Sequence, residues 1–338
     1  MRTIYKKTRL WVLLAFAIVL PFLLSTQYWM HVVNVCGIFA ILTVSLNLLT
    51  GCTGLFSVGH VAFYGIGAYT SAILTTRFGI PVWLGFIAAG IMTALCSLIL
   101  GLPTARLRGL YLAVATLAFG EIAYQLFVNW GVVTNGTKGI IGIPAPEFFG
   151  FSLSTYTRYY YLILAILVLA IVLVHNLLNS RMGRALLSIR GNEAAASAMG
   201  VNTTQYKIIA FMCSAFLAGV AGALYAHEVA YISPDTFKAA ESTSVLAMMV
   251  IGGIGHIGGS VLGAIALTVI PELLRNFGDV RLVLYGLSIV AIVVLSPKGL
   301  GGLIDWLDDV IMGIRHPFAK KSKAVEGTNG DYGKEVEK

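Results

Sequence analysis

Apolar residues run along this chain in blocks near 10–26, 31–50, 55–76, 81–103, 109–129, 157–178, 206–230, 243–272 and 281–297, separated by shorter polar stretches. Most blocks are close to the roughly 20 residues that an α-helix needs to cross the hydrocarbon core of a bilayer. A helix satisfies its backbone polar groups within one segment, which lipid demands. The pattern therefore predicts an all-α integral membrane protein of about 8–10 transmembrane or re-entrant helices. It divides the chain into a cytoplasmic N-terminus (1–9), a membrane domain (10–303) holding a cytoplasmic loop (179–205), and a cytoplasmic tail (304–338). The first block follows Arg2, Lys6, Lys7 and Arg9 and lacks a small-x-small cleavage site, so it reads as a signal anchor. The polar stretch from Lys321 onward, with Gly327, Gly330 and Gly333, reads as disordered.

One block breaks the pattern. With the N-terminus inside and every block crossing once, Arg106, Arg108, Arg181, Arg184, Arg190 and Lys207 fall inside, as basic loop residues should. The basic tail (Lys320, Lys321, Lys323) would then fall outside. The block 243–272 is too long for a simple span and carries Gly252, Gly253, Gly255, Gly258 and Gly259 at its middle. A broken or re-entrant helix there returns the tail to the inside; the other reading is a long tilted helix with a glycine packing face. The stretch also has a counterpart. Val58-Gly59-His60-Val61 is echoed by Ile254-Gly255-His256-Ile257, and eight positions on, Gly67-Ala68 by Gly263-Ala264. Interrupted apolar segments in corresponding places point to a transporter and its central pathway; chance likeness among small residues is the competing reading.

Composition narrows the class. Hydrophobic residues make up 58% of the 338 and charged residues 11%, against roughly a quarter charged in soluble domains. The net charge of +8 comes from clusters flanking apolar blocks, which points to a membrane lipid surface and not to nucleic acid. Cys36, Cys52, Cys96 and Cys213 lack paired spacing and read as small buried hydrophobes.

Candidate chemistry is sparse. The stretch 46–69 is dense in glycine, so its helix can break and expose backbone groups, and Asn47, Ser57 and His60 could join them along a polar path. Thr116 and Glu121 lie in the next apolar region but one and complete the candidate path. Each also has a plain packing reading, and Glu121 a structural one as a hydrogen-bond acceptor. Proton coupling has less support, because no second buried carboxylate or lysine is evident. His60 and His256, among apolar neighbours, read as packing histidines and not as metal ligands. Asn135-Gly-Thr-Lys-Gly139 lacks the order of a phosphate loop, and no Walker-type motif occurs, so an ATP-driven function needs a separate ATPase. No hydrolase or metalloprotease motif is present, which argues against an enzyme; no cofactor or metal is expected.

The loop after the block at 157–178 is basic (Arg181, Arg184, Arg190) and carries helix punctuation: Asn192 as N-cap, Glu193 in the first turn, Gly200 at the end. A short helix of small residues (Ala194, Ala195) on the cytoplasmic side suggests a docking knob for another protein.

Four stretches together carry a resemblance: LNLLTGCTGLFSVGHVAFYGIGAYTSAIL, LRGLYLAVATLAFGEI, SRMGRALLSIRGNEAAASAMGVN and GGIGHIGGSVLGA. Over about residues 30–303 the chain resembles the permease subunits of branched-chain amino acid ABC importers, and more narrowly their M-type permease. The resemblance implies the ABC importer permease fold and a bacterial inner-membrane location. It implies a homologous H-type permease as partner, two cytoplasmic P-loop ATPase subunits and a periplasmic or lipid-anchored substrate-binding protein. It also implies that Arg184, Arg190, Glu193, Ala194, Ala195 and Gly200 belong to an ATPase-coupling loop, although Gly200 stands five residues after Ala195 where the common pattern has four. Related permeases move urea, short amides or other amino acids. A stand-alone secondary transporter or channel is the reading from a different class.

Overall fold

In the computed structural model, residues 15–22, 26–105, 107, 109–148, 151–278, 280–295 and 299–302 are described. Arg106, Arg108, both basic termini and the tail lie outside them. The long helices follow the apolar blocks: α1 (Gln27–Leu46), α2 (Val61–Arg77), α3 (Val82–Thr104), α4 (Leu110–Asn129) and α5 (Tyr156–Asn179). After two short helices, α6 (Arg181–Gly191) and α7 (Glu193–Ala198), come α8 (Thr203–Val229), α9 (Ala239–Gly252), α10 (Ile257–Leu273) and α11 (Val280–Leu295). Among the described residues, six helices are long and apolar enough to cross a membrane: α1 with its extension, α3, α4, α5, α8 and α10 with its extension.

α8 is the central post, packed against α1, α2 and α3. Its inward positions are small: Ala210, Ala215, Ala218, Gly219, Ala221, Gly222 and Ala226 are all buried. Gly67 of α2 lies directly against the backbone of Gly219, and Gly222 against the Tyr64 carbonyl. Lipid offers no hydrophobic drive between helices, so close backbone approach supplies the dispersion contact that holds them. Facing outward, α3 exposes Leu84, Ile87, Ile91, Leu95, Ile99 and Leu102, at the spacing of one helix face suited to lipid.

The block at 243–272 is broken, as expected. α9 ends at Gly252, and Gly253 (φ 109°) and Gly255 (φ 88°) adopt backbone conformations that L side chains rarely take. The chain then reverses. Gly263 packs against Met248 and Gly252, and Gly259 against Gly252, so α9 and α10 form an antiparallel hairpin. Its two open ends lie at one end of the molecule: Asp235 sits near Tyr124 late in α4, and Arg275 donates to the Tyr28 hydroxyl at the start of α1, at 2.8 Å. The connecting segments also meet at this end, where Ile140–Ile141 pairs antiparallel with Tyr231–Ile232. A long tilted helix is thereby excluded.

The apolar block at 55–76 differs from its expected extent. Its helix begins only at Val61. Gly54 has φ 75°, and residues 54–59 form no regular element.

Candidate functional site

Two helix interruptions meet inside the chain. The first follows α1, which loosens into a π-helical turn at Asn47–Gly51 before residues 52–60 cross to α2. The second is the tip of the α9–α10 hairpin. Asn47 joins them: its Oδ1 accepts the Gly255 backbone N–H at 2.7 Å. Gly51 leaves the space for this bond, since a Cβ there would collide with Asn47 Oδ1 and the Gly255 amide.

Backbone N–H groups freed at the first interruption are satisfied by side chains from other helices. Thr116 Oγ1 accepts from Val58 N–H at 3.0 Å and donates to Ala113 O at 2.9 Å. Ser242 Oγ accepts from Val61 N–H at 3.2 Å. His60 Nε2 lies 2.7 Å from Ser45 Oγ, whose proton goes to Leu42 O, so the imidazole is the donor of this pair. Ser214 Oγ donates to Ser45 O at 2.6 Å. Asn47, Ser57, His60 and Thr116 are each exposed by 1% or less and lie buried at or against the first break. Asn47 Nδ2, Ser57 Oγ and His60 Nδ1 have no protein partner there, which leaves polar capacity for water or a polar solute.

The sequence echo has a structural counterpart. His60 and His256 both immediately precede the helix after a break. Eight residues after each preceding glycine, Gly67 and Gly263 make close helix contacts. The two histidines play different parts. His256 Nδ1 accepts from Gly259 N–H at 3.0 Å and caps α10, whereas His60 is held to Ser45.

Glu121 is not buried with Asn47, Ser57, His60 and Thr116. It is exposed on α4, where Gln125 Nε2 donates to its Oε1 at 3.0 Å and Asn129 Nδ2 donates to Gln125 O at 2.9 Å. This polar ladder runs along a helix that buries only Leu112, Thr116, Ala123 and Phe127. Beyond it, Asp235 and Lys238 pair at 2.9 Å; the hydrogen bond between them, and then their opposite charges, lower the Asp235 pKa and raise that of Lys238.

The expectation of no second buried carboxylate or lysine is wrong. Glu228 of α8 is 8% exposed and accepts from Asn34 Nδ2 at 3.0 Å, with His31 Nδ1 at 3.1 Å. Lys207, at 2% exposed, pairs with Glu193 at 2.6 Å and donates to Ala105 O at 3.2 Å. Both sit in the α8 block, so their polarity was visible in sequence. Their burial was not, because it depends on which helices surround α8.

The loop at 179–205 contains two helices where one was expected. Ser180 caps α6 by accepting from Gly183 N–H at 3.4 Å, and Asn192 caps α7 by accepting from Ala195 N–H at 3.0 Å. Gly200, at φ 85°, ends the segment. Ala194, Ala195, Arg184, Arg190 and Gly200 are exposed; Arg184 Nη1 donates to Asn179 O at 3.3 Å. Glu193 turns inward to Lys207, which ties α7 to α8 and to the end of α3.

A family model described as branched-chain amino acid transport system / permease component matches residues 28–295. The chain is 36% identical over 321 residues to the high-affinity branched-chain amino acid transport system permease protein LivM of Salmonella typhimurium, covering 88% of this chain and 75% of that protein. It is 26% identical over 306 residues to LivH of the same organism, covering 83% of this chain and 96% of that one. It is also 27% identical over 276 residues to the autoinducer 2 import system permease protein LsrC of Salmonella paratyphi B, covering 76% of this chain and 75% of that one. No solved structure matches the chain.

Proposed function

Since the chain belongs to the family of branched-chain amino acid transport system permease components, a multi-pass membrane transport subunit and not an enzyme, we propose that it carries leucine, isoleucine and valine inward across the bacterial inner membrane, within an importer driven by separate ATPases. The observation that carries the ATP-driven reading is α7. A short capped helix presents Ala194 and Ala195 outward, while Glu193 anchors it to the buried Lys207. Small exposed residues on a pinned helix fit a groove on a partner, and the ion pair conveys the partner's movement to α8.

In this reading α6, α7, both termini and the end of α3 face the cytoplasm, where two P-loop ATPases dock. The opposite end, with the hairpin's open ends and the Ile140–Ile232 ladder, receives solute from a binding protein. The weakly buried α4 and its Glu121–Gln125–Asn129 ladder face a second, homologous permease and the pathway between the two. ATP binding draws the docking loop with the ATPases, and the helices around the two breaks rearrange. Only contacts that differ between the two states can drive this step. Asn47, Ser57, His60 and Thr116 sit where helix breaks supply polar backbone ends, as a zwitterion in transit requires.

Purification of the tagged chain from native membranes in mild detergent tests the assignment. Stoichiometric P-loop ATPases and a second permease should co-purify, and Ala195→Trp should remove the ATPases alone. Recovery of the chain by itself, active in liposomes with an ion gradient and no ATP, would replace this reading with a secondary carrier.

A further inference from the structure

The docking loop reaches the helix breaks directly. Arg190 lies in the last turn of α6, three residues before Glu193. A Cβ built at Gly255 would lie 2.9 Å from Arg190 Nη1 and 3.3 Å from Gly51 O, and one built at Gly54 would lie 3.4 Å from Arg190 Cγ. This side chain therefore lies against both interruptions at once, beside the same Gly255 whose N–H Asn47 accepts. Cys52, buried between Gly51 and Gly54, is within electrostatic reach of the guanidinium.

The location has a physical logic. α1, through its π-helical turn, and α9 both end here, and helix C-termini present unpaired carbonyls and partial negative charge. A guanidinium carries five donors in a fixed fork and remains charged. Glycines at 51, 54 and 255 let it approach the backbone closely.

We infer that Arg190 is a positioning residue that clamps the two glycine breaks together from the docking loop, rather than an ATPase contact. This rests on the importer reading above and adds to it the route by which docking reaches the membrane core. Movement of α7 carries Arg190 with it, since Asn192 alone separates the two helices. Withdrawal of the guanidinium removes positive charge from beside two helix C-termini and leaves the hairpin tip held to the end of α1 by the Asn47–Gly255 bond.

Cys52 reports the clamp. In the full complex, with Cys36, Cys96 and Cys213 replaced by alanine, a membrane-impermeant maleimide should label Cys52 about tenfold faster in Arg190→Ala, a usual size for coupling between two sites. Arg190→Lys, which keeps the charge but loses the fork, should fall between. Arg77→Ala, whose partner is the surface carbonyl of Val132, should label as the parent does. ATP and magnesium should speed labelling in the parent, and this response should vanish in Arg190→Ala. Parental labelling rates in a monodisperse Arg190→Ala complex would overturn the inference. So would loss of ATPases from Arg190→Ala with Cys52 still protected, which would make Arg190 a docking contact. If the parent chain itself recruits no ATPase, the importer reading falls, while the nucleotide-free difference between Arg190→Ala and the parent still decides the clamp.

Discussion

Asn47 Oδ1 and the backbone N–H of Gly255 meet at 2.7 Å across 208 positions of sequence. That bond ties the end of α1 to the tip of the α9–α10 hairpin. Asn47→Leu removes the acceptor and leaves the part-buried Gly255 amide unpaired, which costs about 1–3 kcal/mol. Thermal unfolding of the purified chain in detergent should show this loss, and uptake should fall with it.

Lys207 and Glu193 form the tie between α7 and α8. A double-mutant cycle with Lys207→Met and Glu193→Gln should give a coupling energy of roughly 1–3 kcal/mol, read by unfolding of the purified chain. Each single variant should uncouple uptake from ATP hydrolysis. Independent, additive effects on both readouts would mean that the ion pair transmits nothing.

Glu121 is exposed on α4 and supported only along its own helix. Glu121→Gln should leave stability within about 0.5 kcal/mol, as at surface positions. A pathway or partner-facing role requires uptake to fall severalfold at that unchanged stability. Uptake at the parental rate would leave Glu121 as a solvated helix residue.

Gly67 and Gly131 separate packing from composition. Gly67 lies against the Gly219 backbone, whereas a Cβ at Gly131 would meet nothing within 4 Å. Gly67→Val forces α2 from α8 and should cost upwards of about 3 kcal/mol, seen as loss of chain from the membrane fraction. Gly131→Ala should accumulate at parental levels.

The same contrast explains which parts of the molecule were readable from sequence. Helix positions follow from runs of apolar residues, because backbone satisfaction in lipid is a local matter and each block meets it alone. The hairpin was legible for a related reason: Gly252 to Gly259 interrupt a block too long for one span, and the basic tail needs a return to the inside. Asn192 and Gly200 were legible because caps act within one turn. Glu121 and Glu228 were not legible in the same way. Both are carboxylates in apolar blocks, and the one expected to be buried is exposed, while the other is buried against Asn34 and His31. The difference lies in the neighbours of α4 and α8, which no local pattern encodes. The meeting of Asn47, Arg190 and Gly255 has the same origin. Sequence by itself determined the long helices, their breaks and the capped helix after Asn192, since these depend on residues within a turn or a span of one another. Tertiary structure alone decided that three distant segments converge, because convergence depends on the close approach of α1, α6 and the hairpin, permitted where glycine leaves the backbone bare.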